Sequence, residues 1–163
     1  MPRYRPNAAL ERELPSAPKP IGTFRNVLEV GNMLYISGQG PLDQEGVLHK
    51  GKVGRDVSTE TANQHARLVG LNLLAVLTAH LGDLRRVKRV VKLLGFVNAV
   101  DDFEEHPRVI NGCSDFLVEV FGDDGVHARS SIGVASLPNN ITVEIEAIVE
   151  IFSEEHNESH GNG

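Results

Sequence analysis

The chain has 163 residues, 40% of them hydrophobic and 23% charged, with a formal net charge of −6. That balance fits one globular domain with a moderate core, and the acidic surplus argues against a dedicated nucleic-acid binder or adhesion to an anionic membrane. A single cysteine, Cys113, excludes an internal disulfide and fits a reducing compartment. The N-terminus lacks the apolar run of a signal peptide and no stretch approaches the ~20 apolar residues of a membrane span, so a cytoplasmic protein is expected.

Prolines 2, 6, 15, 18 and 20 mark residues 1–20 as an N-terminal arm, with a helical turn or two between Asn7 and Leu14. Residues 21–152 read as a single domain, and the polar stretch 153–163 as a disordered tail. Asn26–Val30 and Asn32–Ser37 read as strands around a Gly31-Asn32 turn. Gly38-Gln39-Gly40-Pro41 breaks the second, and Val47–His49 forms a short third ribbon. A long helix starts at a Ser58 or Thr59 cap and stops at Gly82. Its stripe is Ala62, Ala66, Val69, Leu73 and Val76. Gly70, costly in mid-helix, marks close packing on a sheet. The valine alternation of residues 85–98 favours a strand over a helix. Asp102 and Glu105 form a capping-box-like pair before a second long helix, which buries Val109, Cys113, Phe116, Leu117 and Val120. Two helices beside one mixed sheet give an α/β (α+β) two-layer sandwich.

The sharpest chemical feature is the stretch from His127 to Ile151. It reads as two strands joined by a Leu137-Pro138-Asn139-Asn140 loop, Arg129 on the first and Glu144 and Glu146 on the second. In a symmetric hairpin Gly133 opposes Glu144 and Arg129 opposes Ile148. Arg129 and Glu144 then share one face, roughly 13 Å apart at about 3.4 Å per residue step. That is too far for an ion pair within one chain. Either a small ligand spans the gap, or a neighbouring subunit brings another Arg129 or Glu144 close. The plainer alternative is an ordinary sheet-face ion pair of Arg129 with Glu146 or Glu150.

Other motifs carry less. Gly46–Val53 nearly spells a phosphate-binding loop, but Val53 stands where a Mg²⁺-holding hydroxyl is needed, so a glycine-punctuated hairpin is the better reading. The basic run Arg85, Arg86, Lys88, Arg89 and Lys92 has no interleaved aromatics to stack bases and reads as a solvated edge or a subunit contact. The scattered histidines and lone Cys113 support no metal site. His156 and His160, four apart, lack the glutamate of a zinc helix. Cys113, on an apolar helix face, reads as buried and inert. Asn111, two residues before it, points elsewhere around the helix and could reach a cleft.

Ala128-Arg129-Ser130-Ser131-Ile132, Leu137-Pro138 and Val143–Ile148 together resemble the signature of the Rid family, the YjgF-type enamine/imine deaminases. Ile21-Gly22-Thr23-Phe24, the Gly31-Asn32 turn, Ser37-Gly38-Gln39-Gly40-Pro41 and Asn111 are similar to further family positions, so the likeness covers about residues 20–151. The Gly-Gln-Gly-Pro and Gly-Lys-Val-Gly-Arg-Asp segments look like a distinct, longer-chain branch. The resemblance implies a chorismate-mutase-like fold, a homotrimer with inter-subunit clefts, and no metal or cofactor. It implies hydrolysis of reactive 2-imino or enamino acids to 2-keto acids and ammonia, a metabolite-damage role. Arg129 would grip the substrate carboxylate and Glu144 would orient or activate water, with Phe24, Ser37, Gly38, Asn111 and Ser131 lining the cleft. Phe24 stands where the family commonly has tyrosine, and Ser131 where many members have cysteine. The rivals are a non-catalytic trimer that binds or senses small carboxylates, and a ribonuclease or translation inhibitor, against which the acidic charge weighs.

Overall fold

The computed structural model describes residues 7–154. Expectations for residues 1–6 and 155–163, including His156 and His160, lie outside the described residues.

The elements are α1 (Ala8–Glu13), β1 (Val27–Val30), β2 (Met33–Gln39), α2 (Thr59–Leu81), β3 (Val87–Asn98), α3 (His106–Phe121), β4 (Ala128–Val134) and β5 (Val143–Ile151). The Asn7 side chain caps α1 by accepting from the Ala9 and Leu10 amides. Ser58 caps α2 through the Thr61 amide, and Gly82 closes it at φ 78°, a left-handed value that glycine adopts without strain. The capping box before α3 does not form: Glu105 occupies the cap position without a side-chain cap bond. Its carboxylate instead accepts from the Thr59 hydroxyl and from Arg108. Val47–His49 forms no third ribbon, only an isolated bridge between Leu42 and Leu48.

The five strands lie in the order β1-β2-β5-β3-β4, with β3 and β4 parallel and the other pairs antiparallel. The expected β4–β5 hairpin is therefore absent, because β3 sits between the two strands. A parallel pair needs a crossover, and α3 supplies it between β3 and β4. The β4–β5 connection has only to pass over one strand, about 10 Å at the usual interstrand spacing.

Both long helices cover one sheet face. Leu34, Ile36, Leu93, Val97, Val143, Ile145 and Val149 point into the core from the sheet and meet Ala66, Val69, Leu73, Ile110 and Phe116 of the helices. The valine alternation of β3 is not strict: Val87 and Val90 are both buried, because the register slips between Val87 and Arg89 and again between Val90 and Lys92. Gly70 faces α3 rather than the sheet: a Cβ there would lie 2.6 Å from the Phe116 ring. Gly112 is tighter still, since a Cβ would lie 1.9 Å from the Asn63 carbonyl oxygen. The two glycines thus set how closely the helices approach. The other sheet face is open, and Leu28, Tyr35 and Ile132 on it are each about half exposed. Among the described residues no helix is long and apolar enough to cross a membrane.

Candidate functional site

Glu144 stands at one end of the sheet, in a cavity of about 570 Å³ whose walls include Ile21, Phe24, Gly38, Leu48 and Ile141. The bend that opens this cavity is a register slip in β2 between Ile36 and Gln39. Gly38 lies within it. A Cβ on Gly38 would sit 2.9 Å from the Glu144 Cδ, so only glycine leaves the carboxyl group its place. Glu144 is half-buried, and its carboxyl group has no hydrogen bond or ion pair among the described residues. Burial is the main cause that raises its pKa above 4.5, and the neighbouring Glu146 carboxylate adds to it. Phe24, Gly38 and Glu144 thus lie together around one cavity. Ser37 is beside them, but its hydroxyl donates to the Arg25 carbonyl at 2.6 Å.

Arg129 lies elsewhere. It pairs with Leu93, as does Ala147, on the face that meets the helices. Glu144 pairs with Phe96, three residues further along β3 with no slip between. Alternation then puts Phe96 and Glu144 on the open face. The expected common face is therefore wrong: the cation and the carboxylate occupy opposite faces of one sheet.

The guanidinium Nη1 donates to Asn111 Oδ1 at 2.8 Å and to Ser114 Oγ at 3.1 Å, both on α3. It has no carboxylate partner among the described residues. Glu150, the alternative partner, is taken by Lys88 and Arg89. Behind Ser114, His127 Nε2 lies 2.9 Å from the serine oxygen, and His127 Nδ1 lies 2.6 Å from the Gly125 carbonyl. A carbonyl can only accept, so Nδ1 carries the proton and Nε2 accepts from the Ser114 hydroxyl. The serine oxygen then keeps a lone pair for Arg129. Burial, with Arg129 nearby, lowers the His127 pKa although the Gly125 bond opposes this, which favours this neutral tautomer. Arg129 is thus aimed by neutral groups, and its charge is left over for something else. Ser131, on the same face beside Gly95, has a buried hydroxyl with no partner.

Ser114 and His127 were missed by the sequence reading. Ser114 is three residues from Asn111 on one helix face, and His127 is two before Arg129, just ahead of β4. Either spacing could have flagged them.

Residues 5–154 match the family model described as "YjgF/chorismate_mutase-like, putative endoribonuclease". The chain belongs to the YjgF (Rid) family. Among relatives, Protein TCP17 of Trypanosoma cruzi is 40% identical over 85% of this chain and 88% of its own. The 2-iminobutanoate/2-iminopropanoate deaminase of Dermatophagoides farinae is 32% identical over 84% and 92%. Among solved structures, Atu1372 of Agrobacterium tumefaciens, a protein of unknown function, superposes with a TM-score of 0.80 at 43% identity over 88% of this chain and 91% of that one. The mixed sheet with two helices on one face is this family's chorismate-mutase-like fold. Against the YjgF background, two other cavities of about 650 Å³ each lie beside α1 and contain neither Arg129 nor Glu144. Cys113 is fully buried, with burial pushing its thiol up to about 12, which suits packing rather than nucleophilic work.

Proposed function

We propose that this YjgF-family protein hydrolyses 2-imino acids to 2-keto acids and ammonia, at a site closed between protomers of a homotrimer. One observation carries the reading: a cation and a carboxylate without counter-charges lie on opposite faces of the same sheet. A single copy cannot bring both to one small substrate. A second copy, offering its β4 edge and α3 to the cavity beside Glu144, can.

In that site Arg129 binds the substrate carboxylate through its planar fork, with Asn111 and Ser114 holding the fork still. The iminium carbon is already electrophilic, so positioning supplies much of the rate. A water oxygen adds to that carbon, the C=N electron pair moves to nitrogen, and Glu144 takes a proton from the water. Glu144 then passes the proton to the nitrogen. The C–N bond breaks, the hydroxyl oxygen re-forms a carbonyl, and the departing ammonia carries away the hydroxyl proton. The upward-shifted pKa of Glu144 suits a group that both takes and returns a proton near neutrality.

The Dermatophagoides relative, a 2-iminobutanoate/2-iminopropanoate deaminase by name, supports the reaction class. RNA cleavage is a poorer fit, because Arg85, Arg86, Lys88 and Arg89 are engaged by Asp83, Glu154 and Glu150.

The test generates imine with a threonine dehydratase and traps the remainder with semicarbazide. The wild type should suppress the trapped product, while Arg129→Ala and Glu144→Gln should not. Tight 2-ketobutyrate binding with no effect on the imine would favour a carboxylate sensor. Unchanged 2-ketobutyrate binding by Arg129→Ala would remove the anchor from Arg129.

A further inference from the structure

Carboxylate capture and water addition, as read above, call on Glu144 in the cavity wall and on Arg129 from outside it. The substituent on the imine carbon of 2-iminopropanoate or 2-iminobutanoate is a methyl or an ethyl group. The cavity, at about 570 Å³, falls in the range of roughly 300–1,000 Å³ that takes drug-sized ligands. On the inter-protomer reading the second copy that supplies Arg129 takes up part of this volume, and the remainder is open to a substituent larger than methyl or ethyl.

The lining decides what kind. Ile21, Phe24, Leu42, Leu48, Pro138 and Ile141 supply apolar walls. Apart from Glu144, the less exposed polar side chains of the wall are turned onto each other or onto backbone. Asn26 Nδ2 donates to the Pro18 carbonyl at 2.5 Å, and Gln39 Nε2 donates to the Ser37 carbonyl at 3.1 Å and, more weakly, to Asn26 Oδ1 at 3.4 Å. Gln39 thus has no N–H to spare for a polar substituent except at a cost, while Asn26 keeps one of its two. Lys19 and Asn139 contribute at the mouth, and both are exposed. Phe24 makes the wall oilier at the position where resemblance to the family led us to expect tyrosine. Its ring folds back over Gly22, where a Cβ would come within 3.1 Å of it.

We infer that this cavity selects 2-imino acids with bulky apolar substituents, of the kind formed from leucine, methionine or phenylalanine, over the forms with a methyl or ethyl tail. The inference rests on the imine-hydrolase reading for turnover, but not for binding. Each methylene moved from water into such a wall is worth about 0.8 kcal/mol, or about fourfold in affinity or kcat/KM.

The experiment has two arms on the full chain. Calorimetry with pyruvate, 2-ketobutyrate, 4-methyl-2-oxopentanoate and phenylpyruvate should show affinity rising with tail size, by about tenfold or more between the ends. Turnover of imines generated by an amino-acid oxidase from alanine, leucine and phenylalanine should follow the same order. Leu48→Trp, checked for folding by thermal melt, should lower the large-to-small ratio. Affinity that rises with tail size without turnover upholds the cavity and defeats the hydrolase reading. Turnover with no size preference upholds the hydrolase and overturns the cavity's role. A preference for the keto acid of aspartate or glutamate also overturns it, by making Lys19 the reader of a second anion.

Discussion

Glu144 carries its charge in a cavity that penalises it, and the penalty has two separable sources. Burial is the larger and the Glu146 carboxylate the smaller. If Glu144 must be ionised to take a proton from water, the acid limb of kcat/KM lies above the 4.5 of an ordinary glutamate. Glu146→Gln should move that limb down, though not all the way to 4.5, as a pH–rate profile would read. The same shift affects stability with the opposite sign. A folded-state pKa raised above the unfolded value means the fold is relieved as pH falls through it, so Glu144→Gln should melt no lower than the wild type at pH 7. His65 runs the other way. Its pKa is lowered to about 4 by burial and by His49, so stability should fall as pH drops from about 6.5 toward 4, as melts across that range would show. On the Arg129 side, Ser114→Ala should raise KM several-fold with little change in kcat, since it loosens a binding group rather than a reacting one. His127→Phe added to it should cost little more, because both act through one hydrogen-bond relay. Arg129 and Glu144 stood out in the sequence as charges among small and β-branched residues. The relay behind Arg129 did not, because serine and histidine have no pattern until a turn of helix and a strand end are brought together.

At the scale of elements, periodicity was a sound guide to the buried stripe of α2 and a poorer one to β3, where two register slips break the valine alternation. The Ala62-to-Val76 stripe is buried as expected, and Gly82 ends α2. What periodicity does not hold is which strand lies beside which. Leu137–Asn140 has the composition of a hairpin loop, yet β5 finds β2 and β3 as partners and leaves β4 to the far side of β3. Apolar strands pair where the helix-covered face is best filled, and that is a property of the whole sheet. The same limit applies to Gly70, whose close partner is α3, and to Gly112, which drew no notice at all. Replacing Gly112 by alanine should cost more than about 2 kcal/mol by overpacking, because the obstacle is the backbone carbonyl of Asn63. Gly70→Ala should cost less, since the Phe116 ring can give way and alanine is the better helix former. Paired denaturant titrations of the two variants would order them, and the reverse order would mean that the α2–α3 approach is softer than the glycines imply.

At the scale of the molecule, the open sheet face and the split site make one demand. Leu28, Val30 and Tyr35 on one side of the sheet and Ile132 on the opposite edge strand are each about half exposed, apolar surface that a second copy would cover. Sequence spacing had already allowed for a neighbour, though for the wrong geometric reason, since it placed Arg129 and Glu144 on one face. If the working site joins Arg129 of one protomer to Glu144 of another, the two inactive variants Arg129→Ala and Glu144→Ala contain complementary intact halves. Mixed by co-expression or by unfolding and refolding together, they should regain activity. Random assembly puts an intact arginine opposite an intact glutamate in roughly a quarter of the sites. A site confined to one chain predicts no recovery at all, whatever the mixing ratio, because every chain then carries one broken half. Ile132→Lys on the open face supplies the control: it should shift the mass seen by light scattering toward the monomer and abolish the recovery with it. Activity retained by a monomeric Ile132→Lys protein would place the chemistry within one protomer, and would leave the unmatched charge of Arg129 to some other anion.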